Sequence, residues 1–238
     1  MIISKKVKIR CLKLKISLDR YEKEFRTLSD LGFTEKQINK LILRGSSKKT
    51  VNTLIGNFEA LLQLDRNLMT HDTISSIAAR DGGGKCLNAL LKSFTVLRVP
   101  PYELSTSQII KVVSYDGGSK NIEAVKNSFE ALKILNFRAD QIVKIASNIG
   151  GSKNIEAVEN SFVALKNLNF SAAQIVNIVS HGGGSKNVQA VKNSFEVLKD
   201  LNFSAEQIVN IVSHGGGSKN VEAVKNSFKA LKNLNFSA

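Results

Sequence analysis

Tryptophan is absent from the 238 residues, and cysteine, proline and methionine occur twice each. Two cysteines, Cys11 and Cys86, cannot build a disulfide framework, so an intracellular, reducing compartment is the simplest reading. No run approaches the roughly 18 uncharged apolar residues of a membrane span. The opening Met1-Ile2-Ile3-Ser4-Lys5-Lys6 lacks the apolar core of a secretory signal. Acidic residues are outnumbered, 20 against 34 Lys+Arg, leaving a net charge of +14. That surplus points to an acidic partner, nucleic acid before an anionic membrane. Hydrophobic residues nevertheless make up 42%, and mean hydropathy is −0.06. Together these exclude a wholly disordered chain and a polytopic membrane protein.

What the chain does have is repetition. Phe137, Phe170, Phe203 and Phe236 stand 33 residues apart, and the units between them are near copies. The unit from Phe170 reads FSAAQIVNIVSHGGGSKNVQAVKNSFEVLKDLN, and the unit from Phe203 differs at few positions. Another copy starts at Leu104. An irregular unit occupies 69–103 and keeps Arg80-Asp81-Gly82-Gly83, Phe94 and Leu97; a degenerate one occupies 33–68 and keeps Gln37, Ile38, Phe58 and Leu61. Residues 1–32 match no unit and read as a helical cap over the first apolar face. The organisation is thus a basic N-terminal region with a degenerate repeat (1–68), an irregular repeat (69–103) and an array (104–238). The last three residues open a further unit, as in a truncated array or one lacking its C-terminal cap.

Each unit reads as helix, loop, helix, which makes the chain all-α. Ser171 and Gln174 have the spacing of a capping box. Ile175, Val176, Ile178 and Val179 supply a buried first helix, and Gly182-Gly183-Gly184 break it. Ser185 or Asn187 can cap the second helix. Its apolar positions Val188, Val191, Phe195, Leu198 and Leu201 keep helical spacing, and Asn202 can end it in the left-handed conformation. Of 12 phenylalanines, 11 fall in two repeat columns, which marks them as core and not as stacking platforms for bases.

The copies disagree most on two residues ahead of the glycines: Arg80-Asp81, Tyr115-Asp116, Asn148-Ile149, His181-Gly182 and His214-Gly215. The second member passes from acidic to aliphatic to none inside a preserved frame. Two readings fit, a variable contact in each repeat or neutral loop drift. A lysine follows every loop: Lys85, Lys120, Lys153, Lys186 and Lys219. It is either a solvated side chain or one member of a stripe facing a polyanion. A lysine sits badly at the positive end of a helix unless an anion is near. Glycines let a backbone approach a ligand closely, which adds Gly83, Gly118, Gly151, Gly184 and Gly217 as phosphate-contacting candidates. The first 68 residues carry +8 of the net charge. Lys5, Lys6, Lys8, Arg10, Arg44, Lys48 and Lys49 suit sequence-independent duplex binding, or form a solvated terminus.

No catalytic constellation is visible, so no enzyme, metal site or cofactor is expected. His181 and His214 are equivalent positions of neighbouring repeats and His71 stands alone, without metal-ligand spacing. Gly-Gly-Ser-Lys lacks the full spacing and preceding strand of a phosphate loop. A small-molecule substrate and a membrane are not expected either, and a monomer is.

The wording Q-I-V-x-I-x-S-x-x-G-G at a 33-residue period resembles the DNA-binding repeat of transcription activator-like effectors. S-K-N-I/V-E-A-V and F-x-x-L-K-x-L-N-F are most similar to the marine TALE-like branch. The resemblance covers 104–238 strongly, 69–103 recognisably and 33–68 weakly. It implies a right-handed superhelical solenoid along the major groove of double-stranded DNA, one repeat to one base. It makes Asp81, Asp116, Ile149, Gly182 and Gly215 the base readers. Arg80, Tyr115, Asn148, His181 and His214 become braces that bond a carbonyl of the preceding helix. Aspartate accepts from cytosine N4, and glycine leaves room for the thymine methyl; isoleucine is associated with adenine in the family. The implied strand is 5′-CCATT-3′, and the implied location is intracellular and DNA-associated. Two departures stand out. No tryptophan is available for the family's contact to a 5′ thymine, a place Arg44 can take. Glu130, Val163, Glu196 and Lys229 occur where the family has proline. A solenoid binding protein or peptide, a nonspecific basic DNA binder and a modular RNA binder are the alternatives.

Overall fold

The structure, a computed structural model, describes residues 5–43, 48–80, 82–115, 117–181 and 183–234, with the backbone alone for Lys5 and Lys6. Every regular element among them is an α-helix. The chain divides into two compact units, Met1–Ser119 and Lys120–Ala238.

In the first unit α1 (Lys5–Lys13) and α2 (Leu18–Asp30) precede two helix pairs. These are α3 (Glu35–Leu43) with α4 (Lys48–Leu64), and α5 (His71–Ala78) with α6 (Gly83–Arg98); α7 (Thr106–Val113) follows. Helix α3 packs on α5, and α4 on α6, so first helix meets first helix and second meets second. The degenerate stretches 33–68 and 69–103 thus fold as helix–loop–helix units. Helices α1 and α2 pack against α3, where Cys11, Ile16, Tyr21 and Leu28 are buried.

The second unit starts within the first turn of α8 (Gly118–Asn127), which α9 (Phe129–Ile134) follows. Then come α10 (Ala139–Ala146), α11 (Gly151–Asn160), α12 (Phe162–Asn167), α13 (Ala172–Ser180), α14 (Ser185–Asn193) and α15 (Phe195–Asp200). The last are α16 (Ala205–Ser213), α17 (Ser218–Asn226) and α18 (Phe228–Asn233). Helices α10, α13 and α16 stack in one row, and α11, α14 and α17 in another. Ile142, Ile145, Ile175, Ile178 and Ile208 fill the first row, and Ile155, Val158, Val188, Val191 and Val221 the second.

Capping fixes the ends of these short helices. Ser105–Gln108, Ser171–Gln174 and Ser204–Gln207 close full capping boxes. At Arg138 only the glutamine half is made, Arg138 N–H donating to Gln141 Oε1 at 2.9 Å. At the other end Asn136, Asn169 and Asn202 take φ of 57°, 55° and 58°. The next amides, of Phe137, Phe170 and Phe203, then donate back to the carbonyls of Leu132, Leu165 and Leu198 at 3.0, 3.1 and 2.9 Å. This is a Schellman closure, and it satisfies carbonyls that the helix end leaves open.

Two expectations from the sequence need correction. The second helix of each repeat in the second unit is not continuous. It breaks at Ser128, Ser161, Ser194 and Ser227, where ψ rises to between 3° and 10°. Ser161 N–H is shared between the carbonyls of Ala157 and Val158, at 3.1 and 3.2 Å, a local tightening of the turn. The break occurs without proline, two residues before Glu130, Val163, Glu196 and Lys229. Serine alone does not impose it, because α6 runs unbroken through Ser93. The phenylalanine columns are also not uniformly core. Phe58, Phe94 and Phe129 are buried, but Phe162, Phe195 and Phe228 are half-buried. Lys166, Lys199 and Lys232, four residues on, cover those rings at 5.9, 5.9 and 5.4 Å from the centroid.

The serines at the breaks differ in their partners. Ser128 Oγ donates to Glu159 Oε2 at 2.6 Å, across one repeat. The Oγ atoms of Ser161 and Ser194 are buried and bond to nothing among the described residues; Lys192 and Lys225 stand where Glu159 does. An unmade buried hydrogen bond costs about 1–3 kcal/mol. Ser161→Ala is therefore expected to be neutral or stabilising by about 1 kcal/mol, and Ser128→Ala to destabilise by about 1 kcal/mol. Urea midpoints of the two variants check this. Alanine's helix preference enters both equally, so equal shifts would contradict the difference.

Candidate nucleic-acid interface: the loops between paired helices

The variable residues sit where the first helix of a pair hands over to the second, and the loops take two forms. In the first form the helix ends at Ala78, Val113 or Ala146. Three residues then separate it from a left-handed glycine: Gly82, Gly117 or Gly150, with φ of 68°, 75° and 79°. The second helix starts at the next glycine. In the second form the first helix runs one residue further, to Ser180 or Ser213. His181 and His214 are then extended, with ψ of 153° and 151°. Gly183 and Gly184 take φ of 130° and 45°, and Gly216 and Gly217 of 127° and 49°. The second helix begins one residue later, at Ser185 or Ser218. The φ near 130° at Gly183 and Gly216 is open to glycine and hardly to any other residue.

The bracing candidates follow the two forms. Nδ1 of His181 lies 2.6 Å from the carbonyl of Asn177, and Nδ1 of His214 lies 2.6 Å from that of Asn210. A carbonyl only accepts, so Nδ1 carries the proton in both rings. Asn148 acts differently: its Oδ1 accepts from the next amide, Ile149 N–H, at 3.0 Å. Tyr115 and Arg80 are exposed.

Of the reader candidates, Asp81, Asp116 and Gly182 lie outside the described residues, as do Arg44 and the side chains of Lys5 and Lys6. Ile149 is 94% exposed. A single exposed isoleucine on a helix would mean nothing. This one stands at a loop tip where the other copies carry aspartate or glycine. A Cβ added at Gly215 would meet nothing within 4 Å, so open space lies where its side chain would be.

The lysine stripe is uniform. Lys85, Lys120, Lys153, Lys186 and Lys219 are all exposed, each in the first turn of α6, α8, α11, α14 or α17. None of those first turns contains an acidic residue. Five helix starts thus combine the positive end of the dipole with a lysine and no compensating carboxylate. Each placement costs about 0.3–1 kcal/mol in the absence of an anion. Lys48 and Lys49 repeat it at the start of α4. Arg10 is partly committed elsewhere: its Nε donates to the carbonyl of Leu43 at the end of α3, at 3.2 Å. Lys8 is exposed.

The glycine candidates divide. Gly83, Gly118, Gly151 and Gly217 are buried and Gly184 is half-buried. A Cβ on Gly83, Gly118 or Gly151 would collide with the carbonyl of Ala78, Val113 or Ala146. Their place in the fold is close helix packing. The glycines immediately before them, Gly82, Gly117, Gly150, Gly183 and Gly216, are exposed, as is Gly215.

One set of residues escaped the sequence reading. Asn187 does not cap its own helix. It is the third residue of α14, and its side chain leans back to the preceding helix, Nδ2 donating to the carbonyls of Ile178 at 3.1 Å and His181 at 3.5 Å. Asn220 repeats this on Ile211 at 3.0 Å and His214 at 3.3 Å. In the other loop form Asn154 Nδ2 donates to the carbonyl of Ile149 at 3.0 Å. The only signal in the sequence was the recurrence of S-K-N in four copies.

The family model described as TAL effector repeat matches residues 116–148. The match spans one full repeat, from the second variable residue of one loop to the first of the next. The chain thus contains a TAL effector-like repeat, and the neighbouring copies share its wording. No curated protein matches the chain. Among the described residues no helix is long and apolar enough to cross a membrane, and no group of three or more His, Cys, Asp or Glu is placed to hold a metal ion.

The buried and open glycines should respond oppositely to a methyl group. Gly151→Ala meets the Ala146 carbonyl and, at 2.8 Å, Asn121 Oδ1. It is expected to destabilise by about 1–3 kcal/mol. Gly215→Ala enters open space and should stay within about 0.5 kcal/mol of the wild type. Thermal or urea unfolding of both variants measures the contrast.

Proposed function

We infer that the chain binds double-stranded DNA as a TALE-like solenoid, one repeat to one base in the major groove, with 5′-CCATT-3′ as the strand read. The observation that carries this reading is the loop frame. One position at each tip changes from aspartate to isoleucine to glycine, while helices, caps and lysines around it are kept. Ile149, fully presented to solvent, is that position where its side chain is described.

The chemistry divides between two sets of side chains. Lys85, Lys120, Lys153, Lys186 and Lys219 meet phosphates at the positive ends of their helices, and supply affinity without sequence information. Asp81 and Asp116 accept from the N4 amino group of cytosine, Ile149 lies against adenine, and Gly182 and Gly215 make room for the thymine methyl. His181 and His214 hold the loop through the Asn177 and Asn210 carbonyls; Asn148, Tyr115 and Arg80 occupy the same place. Lys8, Arg10, Lys48 and Lys49, with Lys5, Lys6 and Arg44, add sequence-independent contact. The wording is closest to the marine TALE-like branch. The reading assigns no catalysis, cofactor or small-molecule substrate, a monomer, and an intracellular, DNA-associated place.

Fluorescence anisotropy across a salt series tests it, with a duplex containing CCATT and a permuted duplex. Preference that survives rising salt is the expected result. Equal, steeply salt-dependent binding would leave a nonspecific basic binder. No duplex binding at low salt would favour the protein-binding solenoid, and stronger binding of competing RNA the RNA reading. Asn148→His with Ile149→Asp should move the third-base preference from adenine to cytosine. Lys153→Ala should weaken all duplexes alike and reduce the salt slope by about 1.

A further inference from the structure

The residue after four of the five stripe lysines is an asparagine: Asn121, Asn154, Asn187 and Asn220; Cys86 follows Lys85. The first three are 1%, 1% and 0% exposed. A buried primary amide is costly unless both its ends are bonded. Here the two ends face different repeats. The Nδ2 ends of Asn154, Asn187 and Asn220 bond the loop of their own repeat, as described above. The Oδ1 ends face forward. Asn121 Oδ1 accepts from Ser152 N–H at 2.8 Å, and Asn187 Oδ1 from Ser218 N–H at 2.9 Å. These amides begin the second helix of the next repeat and have no acceptor within that helix. Glycine makes the approach possible: a Cβ on Gly184 would lie 2.6 Å from Asn154 Oδ1.

The first unit makes the same junction with another side chain. Thr50 occupies the asparagine column of the unit from Phe33 and is buried. Its Oγ1 accepts from Gly84 N–H at 3.3 Å, 34 residues on. The forward bond thus recurs where the sequence of the repeat has degenerated.

We propose that these asparagines are positioning residues that couple each loop to the next, so that readout at one base depends on the repeat before it. Ile149 is held from both sides: Asn154 bonds its carbonyl, and Asn121 fixes the helix start three residues beyond it. Gly215 is held likewise by Asn220 and Asn187. The readout half rests on the DNA reading above; the coupling itself does not.

Amide hydrogen exchange on the full chain tests the coupling without DNA. Asn187→Ala removes the bonds at both ends of the side chain, and exchange at Ser218 should rise at least about tenfold. The amide of Gln207, bonded to Ser204 Oγ in its capping box, should not change. Asn187→Thr keeps an acceptor, as Thr50 does, and should restore most of the protection at Ser218. Unchanged Ser218 exchange in the alanine variant, or equal loss at Gln207, would overturn the coupling. On the CCATT duplex, Asn187→Ala should lower thymine preference by roughly threefold at the positions of both Gly182 and Gly215, leaving the adenine preference of Ile149 intact. Loss at the Gly182 position alone overturns coupled readout. Absence of any base preference in the wild type overturns it together with the DNA reading, and Ser218 exchange still decides the coupling.

Discussion

A helix of eight to ten residues does not hold itself together in water, because the cost of nucleating it is spread over too few bonds. Most helices of this chain are of that length or shorter. Within each unit, first helices lay their apolar stripes on first helices, α3 on α5 and α10 on α13 on α16, and second helices on second, and that dependence on packing shapes everything else. It requires the same helices at the same spacing, which is why the period holds at 33 residues. It requires every end to be closed, which the capping boxes and the left-handed asparagines do. Within a unit it also returns the interhelical loop to the equivalent place in each repeat. A contact of one kind can then be made once per repeat by changing a single residue.

The loops are held more firmly than their glycine content implies. The left-handed glycine of the first form is followed by a buried glycine against the preceding helix. In the second form a histidine bonds back to a carbonyl four residues earlier. There an asparagine from the second helix also reaches the end of the first, whereas in the first form Asn154 reaches the loop itself, at the Ile149 carbonyl. The forward bonds of Asn121 and Asn187 extend this grip to the following repeat. The side chain left without a partner at the tip, Ile149, is therefore carried on a backbone that is bonded on either side. Preorganisation of this kind lowers the ordering cost of any contact made there.

Much of the fold was legible in the sequence. The spacing of Ile175, Val176, Ile178 and Val179 marks a buried helix. Ser171 and Gln174 mark its start, and Asn202 takes the positive φ expected of it. The helix break at Ser161 was not legible, since α6 passes through Ser93 with the same Ser-Phe wording; packing decides it. The half-burial of Phe162 and Phe195 was hidden because periodicity identifies a face and not its cover. The role of Asn187 was out of reach for a different reason. Its partners lie 9 residues back and 31 residues ahead, and neither distance belongs to a local capping rule. The two loop forms were hidden because they differ in φ at the glycines, one left-handed glycine in the first form and two of positive φ in the second, and a glycine pair or triplet in the sequence does not say which.

In the proposed reading, affinity and discrimination fall on different side chains a few residues apart. In one loop Ile149 faces out at the tip, Lys153 stands in the first turn of the next helix, and Asn154 is buried behind both. The lysine interacts with charge and is indifferent to sequence, so its contribution falls as salt rises. The isoleucine has no charge to screen, and its contribution rests on fit. A single apolar contact discriminates by less than the roughly 1–3 kcal/mol of a good bidentate pair. On that reading five tip positions, of which only Ile149 is a large apolar side chain, address few bases, and a five-base address recurs often in any genome. Specificity at this scale is sensitive to where the loop sits, because a small displacement of the tip costs as much as the contact yields. The lysine tolerates such displacement and the isoleucine does not. A bond from Asn154 to the carbonyl of Ile149 itself therefore falls where precision is needed, and the flexible lysine beside it is left to move.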